Sequence, residues 1–455
     1  MAKSKVEYIC QQCGRRAVKP MGRCPQCGSW NSMVAETITP QKKHSSASLT
    51  QISKPRRLTE IEGDVQERIP IPIGEFSRVL GGGIVPGSVV LIGGDPGIGK
   101  STLLLQMVLS LAETTGVLYV SGEESEHQLK ARALRLIPED RIPEQLYLLT
   151  ETDLDLIIGH TQQLAPSLVV IDSIQTTRVS EIDSGAGSIS QVRESASRLQ
   201  SLAKSSGITI FMVGHVTKEG AIAGPKVLEH IVDTVLYLEG DAFHAFRLLR
   251  SVKNRFGATS EVGVFEMRSS GMLEVPNPSQ AFLAERVLDT PGSAIAVTME
   301  GTRPLLVEVQ GLTSTTAFGN PRRTANGVDF NRLLLTIAVL TRREGIRLSD
   351  QDVFVNIVGG LQVGEPAADL AMAIAITSSM RDRPVKPGLA FIGEIGLSGE
   401  VRTVAQLPAR LKEAAKLGFN GVIVPIGLRA DDEKTQGLDV IQVRTLHEAL
   451  DKALN

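Results

Sequence analysis

Eight residues constrain this chain more than any others. Gly94-Asp95-Pro96-Gly97-Ile98-Gly99-Lys100-Ser101 satisfies the phosphate loop G-x-x-x-x-G-K-[ST] at every fixed position, and Thr102 continues the run. Glycines let the backbone curl so that successive N–H groups face the phosphates. Lys100 reaches the β and γ oxygens, and Ser101 offers a hydroxyl to Mg²⁺. Val89-Val90-Leu91-Ile92 before the loop has the character of a buried strand. Ser101 to Leu111 is an apolar run of helix length whose N-terminus adds partial positive charge. An ordinary glycine-rich turn would leave the lysine unexplained, so the pattern implies a bound nucleoside triphosphate.

The 455 residues suit two or three domains, and 42% hydrophobic residues suffice for real cores. No stretch is apolar for long enough to cross a membrane, and Met1-Ala2-Lys3-Ser4-Lys5 does not open a signal peptide. The expectation is a cytoplasmic protein with no membrane partner. The net charge of −2 conceals an asymmetry: residues 1–57 hold eleven Lys or Arg against only Glu7 and Glu36. All four cysteines lie in this basic end, as Cys10-x-x-Cys13 and Cys24-x-x-Cys27, each pair followed by glycine (Gly14, Gly28). That spacing suits a four-thiolate Zn²⁺ site in a module, residues 1–35, too short to build its own core. A disulfide pair would need an oxidising compartment that nothing else in the chain supports. Residues 36–60, rich in Thr, Ser, Gln and Lys, suit a flexible linker.

From residue 61 to 274, strand-like runs alternate with helix-length segments, as in a largely parallel sheet covered by helices. Ligands in such sheets sit beyond the carboxyl ends of the strands. Leu168-Val169-Val170-Ile171 delivers Asp172 as a candidate second Mg²⁺ ligand. Val117-Leu118-Tyr119-Val120 leads to Glu123 and Glu124, of which Glu123 is the expected base for the attacking water. Ile210-Phe211-Met212-Val213 leads to His215, placed to sense the γ-phosphate. Lys253-Asn254-Arg255-Phe256-Gly257 follows the strand-like Arg247–Val252 and carries two cations that the chain's own phosphate loop does not obviously need. In an oligomer, Lys253 and Arg255 are candidate trans-acting fingers. Thr217 to Lys226 is a small basic loop.

In this order, the phosphate loop, glutamate, aspartate strand and histidine resemble the RecA superfamily of ATP-driven, ring- or filament-forming motors. The place of the basic loop after His215 resembles that of the DNA-facing loop of RecA-like proteins, a resemblance that implies Lys218 and Lys226 as candidate DNA contacts. The four-cysteine motif and the pentapeptide Lys253–Gly257 narrow the resemblance to the bacterial DNA-repair family called RadA or Sms. Gly364-Glu365-Pro366-Ala367-Ala368-Asp369 and Gly393 to Val401 resemble the proteolytic domain of Lon proteases, extending the likeness over almost the whole chain. In that domain a serine acts with a lysine. Laid on this sequence, the serine falls on Ala367 and the lysine on Pro408, neither of which can do the chemistry. The resemblance implies an α/β protein: an N-terminal zinc ribbon, a RecA-like ATPase domain with a mostly parallel sheet, and a proteolytically inactive Lon-like domain at 275–455. It further implies ATP, Mg²⁺ and Zn²⁺ as ligands, and a hexameric ring. Single-stranded or branched DNA and the RecA recombinase are the implied partners. Arg322, Arg323, Arg332, Arg342, Arg343 and Arg347 cluster in the third domain, with the helix-like segment Asn331 to Arg343 expected to show Arg332 and Arg342 or Arg343 to DNA phosphates. A solvated helix face is the plainer alternative. Three functions compete: a DNA-stimulated ATPase motor in recombination, an ATP-dependent protease (disfavoured by Ala367 and Pro408), and an ATP-switched DNA-binding scaffold.

Overall fold

The computed structural model describes residues 5–10, 15–19, 21–26, 28, 30, 32–38, 57, 67–215, 228–240, 245–317, 319–427 and 437–454. In the N-terminal module, β1 (Lys5–Cys10) pairs antiparallel with both β2 (Arg16–Ala17) and β3 (Met33–Ile38). Lys5 lies opposite Ile38, so the first three residues of the segment expected to be linker belong to the module's sheet.

Two compact units follow from the chain's own contacts. One holds residues up to Glu239, with Arg247–Thr259 and Phe265–Glu274. The other holds Gly240–Phe246, Ser260–Val264 and Val275–Asn455. The first is built on β4 (Val89–Gly94), β5 (Val117–Ser121), β6 (Leu146–Thr150), β7 (Leu168–Asp172), β8 (Thr209–Val213), β9 (Thr234–Glu239), most of β10 (Phe246–Asn254) and of β11 (Val262–Arg268), and β12 (Gly271–Glu274). Their order across the sheet is β12-β11-β10-β9-β4-β8-β7-β5-β6. The stretch from β9 to β6 is parallel, and β10 returns antiparallel to β9. Helices α1 (Gly74–Leu80), α2 (Lys100–Leu111), α3 (Glu126–Leu136), α4 (Leu154–Leu164) and α5 (Ile189–Ser206) belong to this unit.

Alternating residues of one strand feed two different cores, which is why the strands are apolar throughout. Val90 and Ile92 pack with Phe76, Leu104 and Phe211 on one face, while Val89 and Leu91 pack with Leu118, Val169 and Val192 on the other. Helix boundaries follow local chemistry. Ser125 and Gln128 form a capping box at α3, and Gly207 closes α5 in the left-handed region at φ 76°.

In the second unit, β13 (Ser293–Glu300), β14 (Arg303–Thr315), β15 (Arg323–Asn326), β16 (Gln351–Ile357), β17 (Leu389–Phe391), β20 (Gly421–Pro425) and β21 (Asp439–Val443) form a mixed sheet in the order β15-β16-β14-β13-β17-β20-β21. A ribbon of β18 (Glu394–Ile395) and β19 (Val401–Arg402) stands apart. Helices are α6 (Pro278–Leu283), α7 (Phe330–Arg343), α8 (Asp369–Arg381), α9 (Leu407–Lys416) and α10 (Leu446–Ala453). Helix α8 is buried from Asp369 to Ser378, and its backbone comes so close to β14 that a Cβ on Gly311 would lie 2.8 Å from the Ile376 nitrogen. Only glycine permits that approach.

A buried clasp joins the segment Gly364–Asp369 to helix α9, which carries Pro408. Arg410, 1% exposed on α9, grips Glu365 through two hydrogen bonds of 2.8 and 2.7 Å, and donates to the carbonyls of Val297 (2.6 Å) and Ala405 (3.0 Å). Glu365 Oε1 also accepts from the Met299 N–H at 2.5 Å, so both charges are paired and hydrogen-bonded. Replacing Arg410 with Met leaves Glu365 facing a desolvated site and is expected to destabilise the unit by roughly 3 kcal/mol, while making Glu365 apolar as well restores most of the loss. Hydrogen exchange along β13, together with urea unfolding of both variants, reads the two outcomes; equal loss in the single and double variants would contradict the clasp.

Candidate nucleotide and zinc sites

One parallel register line brings the phosphate-site candidates together. Ile92 lies opposite Val213, Ile171 opposite Met212, and Ser121 opposite Asp172. Because β8 stands between β4 and β7, the strands end level with one another. Gly94, His215 and Glu123 each fall two residues beyond that line, with Asp172 on it.

The loop is shaped for phosphate. Gly94 has φ 148°, and a Cβ there would press into the Leu238 carbonyl; Gly97 has φ 77° with open space around it. Asp95, Pro96 and Gly97 are exposed, whereas Ile98 is buried beneath them. Helix α2 starts at Lys100 behind Gly99 with no side-chain cap, so its first N–H groups keep their anion-binding capacity. Ser101 and Thr102 are half-buried in its first turn. Lys100 is 3% exposed and its ammonium donates to the carbonyls of Gly94 (2.8 Å) and Asp95 (2.9 Å). Burial lowers its pKa to about 8, against the opposing pull of Asp172, Asp95 and Glu123. A polyphosphate in the loop would hold that ammonium charged.

Two residues that the sequence hid among core positions orient the acids. Tyr119, inside β5, donates its hydroxyl to Asp172 Oδ2 at 2.5 Å, and burial followed by the Asp172 charge raises its pKa well above 10. Among the described residues Asp172 Oδ1 accepts no hydrogen bond, which leaves it for a cation. Ser173 donates to Glu123 Oε1 at 2.7 Å, and His215 Nε2 stands 3.5 Å from the same oxygen. Glu124 turns the other way and pairs with Arg132. That separates two glutamates that are equivalent as letters. Gln175 donates to the His215 carbonyl at 3.4 Å. Among the described residues, Gln175 Oε1 and His215 Nδ1 are both buried without a hydrogen-bond partner, two orphaned polar atoms beside the strand ends. The fit of these groups to a nucleotide and its magnesium is good: Ser101 and Asp172 would hold the cation, and Lys100 and the α2 N-terminus the phosphates.

The pentapeptide lies at the other edge of the sheet. Asn254 is opposite Thr234, which is opposite Val90 at the start of the parallel strands, whereas Gly94 is opposite Leu238. Thr234 and Leu238 alone are about 13 Å apart along the strand. Lys253 is already part of β10: its ammonium donates to the carbonyls of Glu229 (2.5 Å) and Val232 (2.7 Å), and burial followed by neighbouring Arg255 lowers its pKa. Arg255 is 49% exposed at its side chain and tethered at 3.1 Å to the buried Asp233. Arg68, not singled out from sequence, braces the loop through the carbonyls of Leu80, Gly83 and Phe256.

The arginines of the second unit divide. Arg332 was expected on an accessible helix face, but its guanidinium makes a bidentate pair with buried Asp369, because the first turn of α7 faces the start of α8. Arg323 donates to the carbonyls of Arg322, Gln351 and Leu348, fastening β15 beside β16. Arg322, Arg342 and Arg347 are exposed, as is Arg343, whose Nε donates to Leu397 O at 3.2 Å. Lys218 and Lys226 lie outside the described residues, as do Cys13 and Cys27.

Cys10 and Cys24 are 0% and 1% exposed and, with Ser32, are the buried residues among those described in the module; the Cys10 thiol approaches Ser32 Oγ at 3.3 Å. Gly28 N donates to Cys24 O and Cys10 N to Arg15 O, both at 2.9 Å, the tight turns a metal knuckle requires. Buried thiols in a sheet this small fit Zn²⁺, which Cys10 and Cys24 would hold with Cys13 and Cys27.

Residues 8–35 match the rubredoxin metal binding domain family, residues 55–221 the AAA domain family, and residues 310–427 the family of subunit ChlI of Mg-chelatase. DNA repair protein RadA of Bacillus subtilis is 53% identical over 459 residues, covering 100% of both chains. Those of Halalkalibacterium halodurans and Listeria monocytogenes are 51% and 50% identical, again over 100% of this chain and of theirs.

Glu123→Gln should lower ATP turnover about 100-fold or more, while Glu124→Gln stays within a few-fold of the unaltered chain. Steady-state phosphate release from the two variants makes the comparison, and equal losses would undo the assignment. Cys24→Ser should release zinc, as read by a chromogenic chelator; retained stoichiometric metal would contradict four-thiolate ligation.

Proposed function

The chain belongs to the family of DNA repair protein RadA, and from that premise we propose that it is a DNA-stimulated ATPase that assembles into a ring and moves along single strands to process branched recombination intermediates. The observation that carries the assembly is the position of Arg255. It stands at the edge of the sheet opposite its own phosphate loop, half-exposed, so a γ-phosphate it neutralises belongs to a neighbouring copy. This supports a homo-oligomer in which each site is completed in trans, and a hexamer suits the family.

Within one subunit, Lys100 and the α2 N-terminus bind and orient the triphosphate. Glu123, held by Ser173, takes the proton of the attacking water at Oε1. Magnesium at Ser101 and Asp172 would supply charge neutralisation for the β and γ oxygens. Arg255 of one subunit, released from Asp233, adds positive charge at the neighbour's γ-phosphate. His215 touches Glu123 and leads directly into the basic segment with Lys218 and Lys226, which supports a coupling of hydrolysis to a strand in the ring. Exposed Arg322, Arg342 and Arg343 offer further phosphate contacts, and the strand exchange partner consistent with the family is the RecA recombinase, in the cytoplasm. Proteolysis is disfavoured on chemical grounds: Ala367 is buried and has no oxygen, Pro408 has no amine, and the segments around them are tied by the Arg410–Glu365 clasp.

Two experiments test this. Arg255→Ala and Lys100→Ala chains should each hydrolyse ATP at a small fraction of the normal rate, and mixing them should recover activity, since an intact loop then meets an intact arginine. No recovery on mixing would place Arg255 outside the catalytic step. Purified protein with ATP and a forked duplex should release a labelled strand as hydrolysis rises with DNA. Hydrolysis without release would favour the ATP-switched scaffold.

A further inference from the structure

The N-terminal module displays one aromatic surface that neither zinc nor packing accounts for. Trp30, the chain's single tryptophan, is 72% exposed, although tryptophan ordinarily buries most of its ring. Its backbone bridges antiparallel to Arg23. The Arg23 guanidinium carbon lies 5.8 Å from the indole centroid, within cation–π range. That guanidinium is fixed from the other side, since Nε donates to Gly28 O at 2.9 Å and Gly28, at φ 75°, keeps its Cα hydrogens where a Cβ would lie 3.2 Å from Arg23 Nη2. An exposed indole, with an arginine locked beside it by the knuckle glycine, is a built surface and not a stray apolar residue.

The charge around it selects the occupant. Arg15 and Lys19 are exposed on the same small module, and residues 1–57 carry eleven cationic residues against Glu7 and Glu36, so four thiolates around Zn²⁺ leave the segment positive. A basic surface with one open aromatic ring suits a polyanion that also offers flat apolar faces. Duplex DNA keeps its base faces stacked on each other, whereas a single strand does not.

We propose that Trp30 and Arg23 form a stacking site for single-stranded DNA: a base lies on the indole, and its phosphate meets the guanidinium. The site rests on the DNA-binding reading above and adds to it a contact outside the ATPase ring. Contacts of this kind accept any base, so binding through it is indifferent to sequence and weakens with salt.

The single tryptophan makes the test direct. The full-length, zinc-loaded protein is titrated with a fluorescein-labelled oligo(dT) while label anisotropy and tryptophan emission are both followed. Saturating quenching of the tryptophan in step with anisotropy, absent with a blunt duplex of equal length, is the expected result. Trp30→Ala should weaken oligo(dT) binding by roughly 5- to 100-fold, and Trp30→Phe, which keeps a ring, should recover most of it with zinc content unchanged in both. Rising anisotropy with unaltered emission would overturn the stacking site yet leave DNA binding by the ring intact, and would point to a protein occupant of Trp30. No rise in anisotropy at all would overturn the DNA reading itself, and the stacking site with it.

Discussion

The parallel register of β4, β8, β7 and β5 is the constraint on which the nucleotide site depends. A side-chain period of two means that a slip of one residue would turn Asp172 and Tyr119 to opposite faces and carry His215 away from Glu123. Two apolar cores hold the register, one on each face of the sheet, and each strand contributes alternate residues to both. Stability and chemistry are therefore coupled: the packing that makes the strands uniformly apolar is also what brings their polar termini level.

The same topology separates what would otherwise collide. Strand β10 runs back antiparallel beside β9, so the pentapeptide that begins within β10 emerges where the parallel strands start. Lys100 and Arg255 thus occupy opposite edges of one sheet. The buried Lys100 ammonium, lowered to about 8 by desolvation, is satisfied by loop carbonyls, and Arg255 by the carboxylate of Asp233. Each cation is thus held by oxygen acceptors of its own chain.

In the second unit a charged pair occupies the neighbourhood where the resembled proteases keep their chemistry. Arg410 and Glu365 satisfy one another and the adjoining carbonyls and N–H, and Arg332 does the same for Asp369. Buried ion pairs of this kind add little net stability over apolar packing but fix one arrangement, because every alternative strands a charge. Two arginines that as letters belonged to a basic patch are engaged within the chain, Arg332 by the Asp369 carboxylate and Arg323 by the carbonyls of Arg322, Gln351 and Leu348.

Much of the site was legible as letters. The loop Gly94–Ser101, the cysteine spacing and the acids after apolar runs carry chemistry that few other patterns share, and strands such as Thr209–Val213 announce themselves by unbroken apolar character between polar boundaries. Tyr119, Ser173, Gln175 and Arg68 were not legible, because a tyrosine in an apolar strand or an arginine before a turn has no local signature of its partner. Nor could letters separate Glu123 from Glu124, or exposed Arg342 from tethered Arg323. The sequence by itself determined which chemical groups exist and on which strand ends they fall, since periodicity and motif spacing are local properties of the chain. Only the tertiary structure decided which groups meet, which arginines are already paired, and on which edge of the sheet Arg255 stands, because pairing partners far apart in sequence are chosen by sheet order and burial.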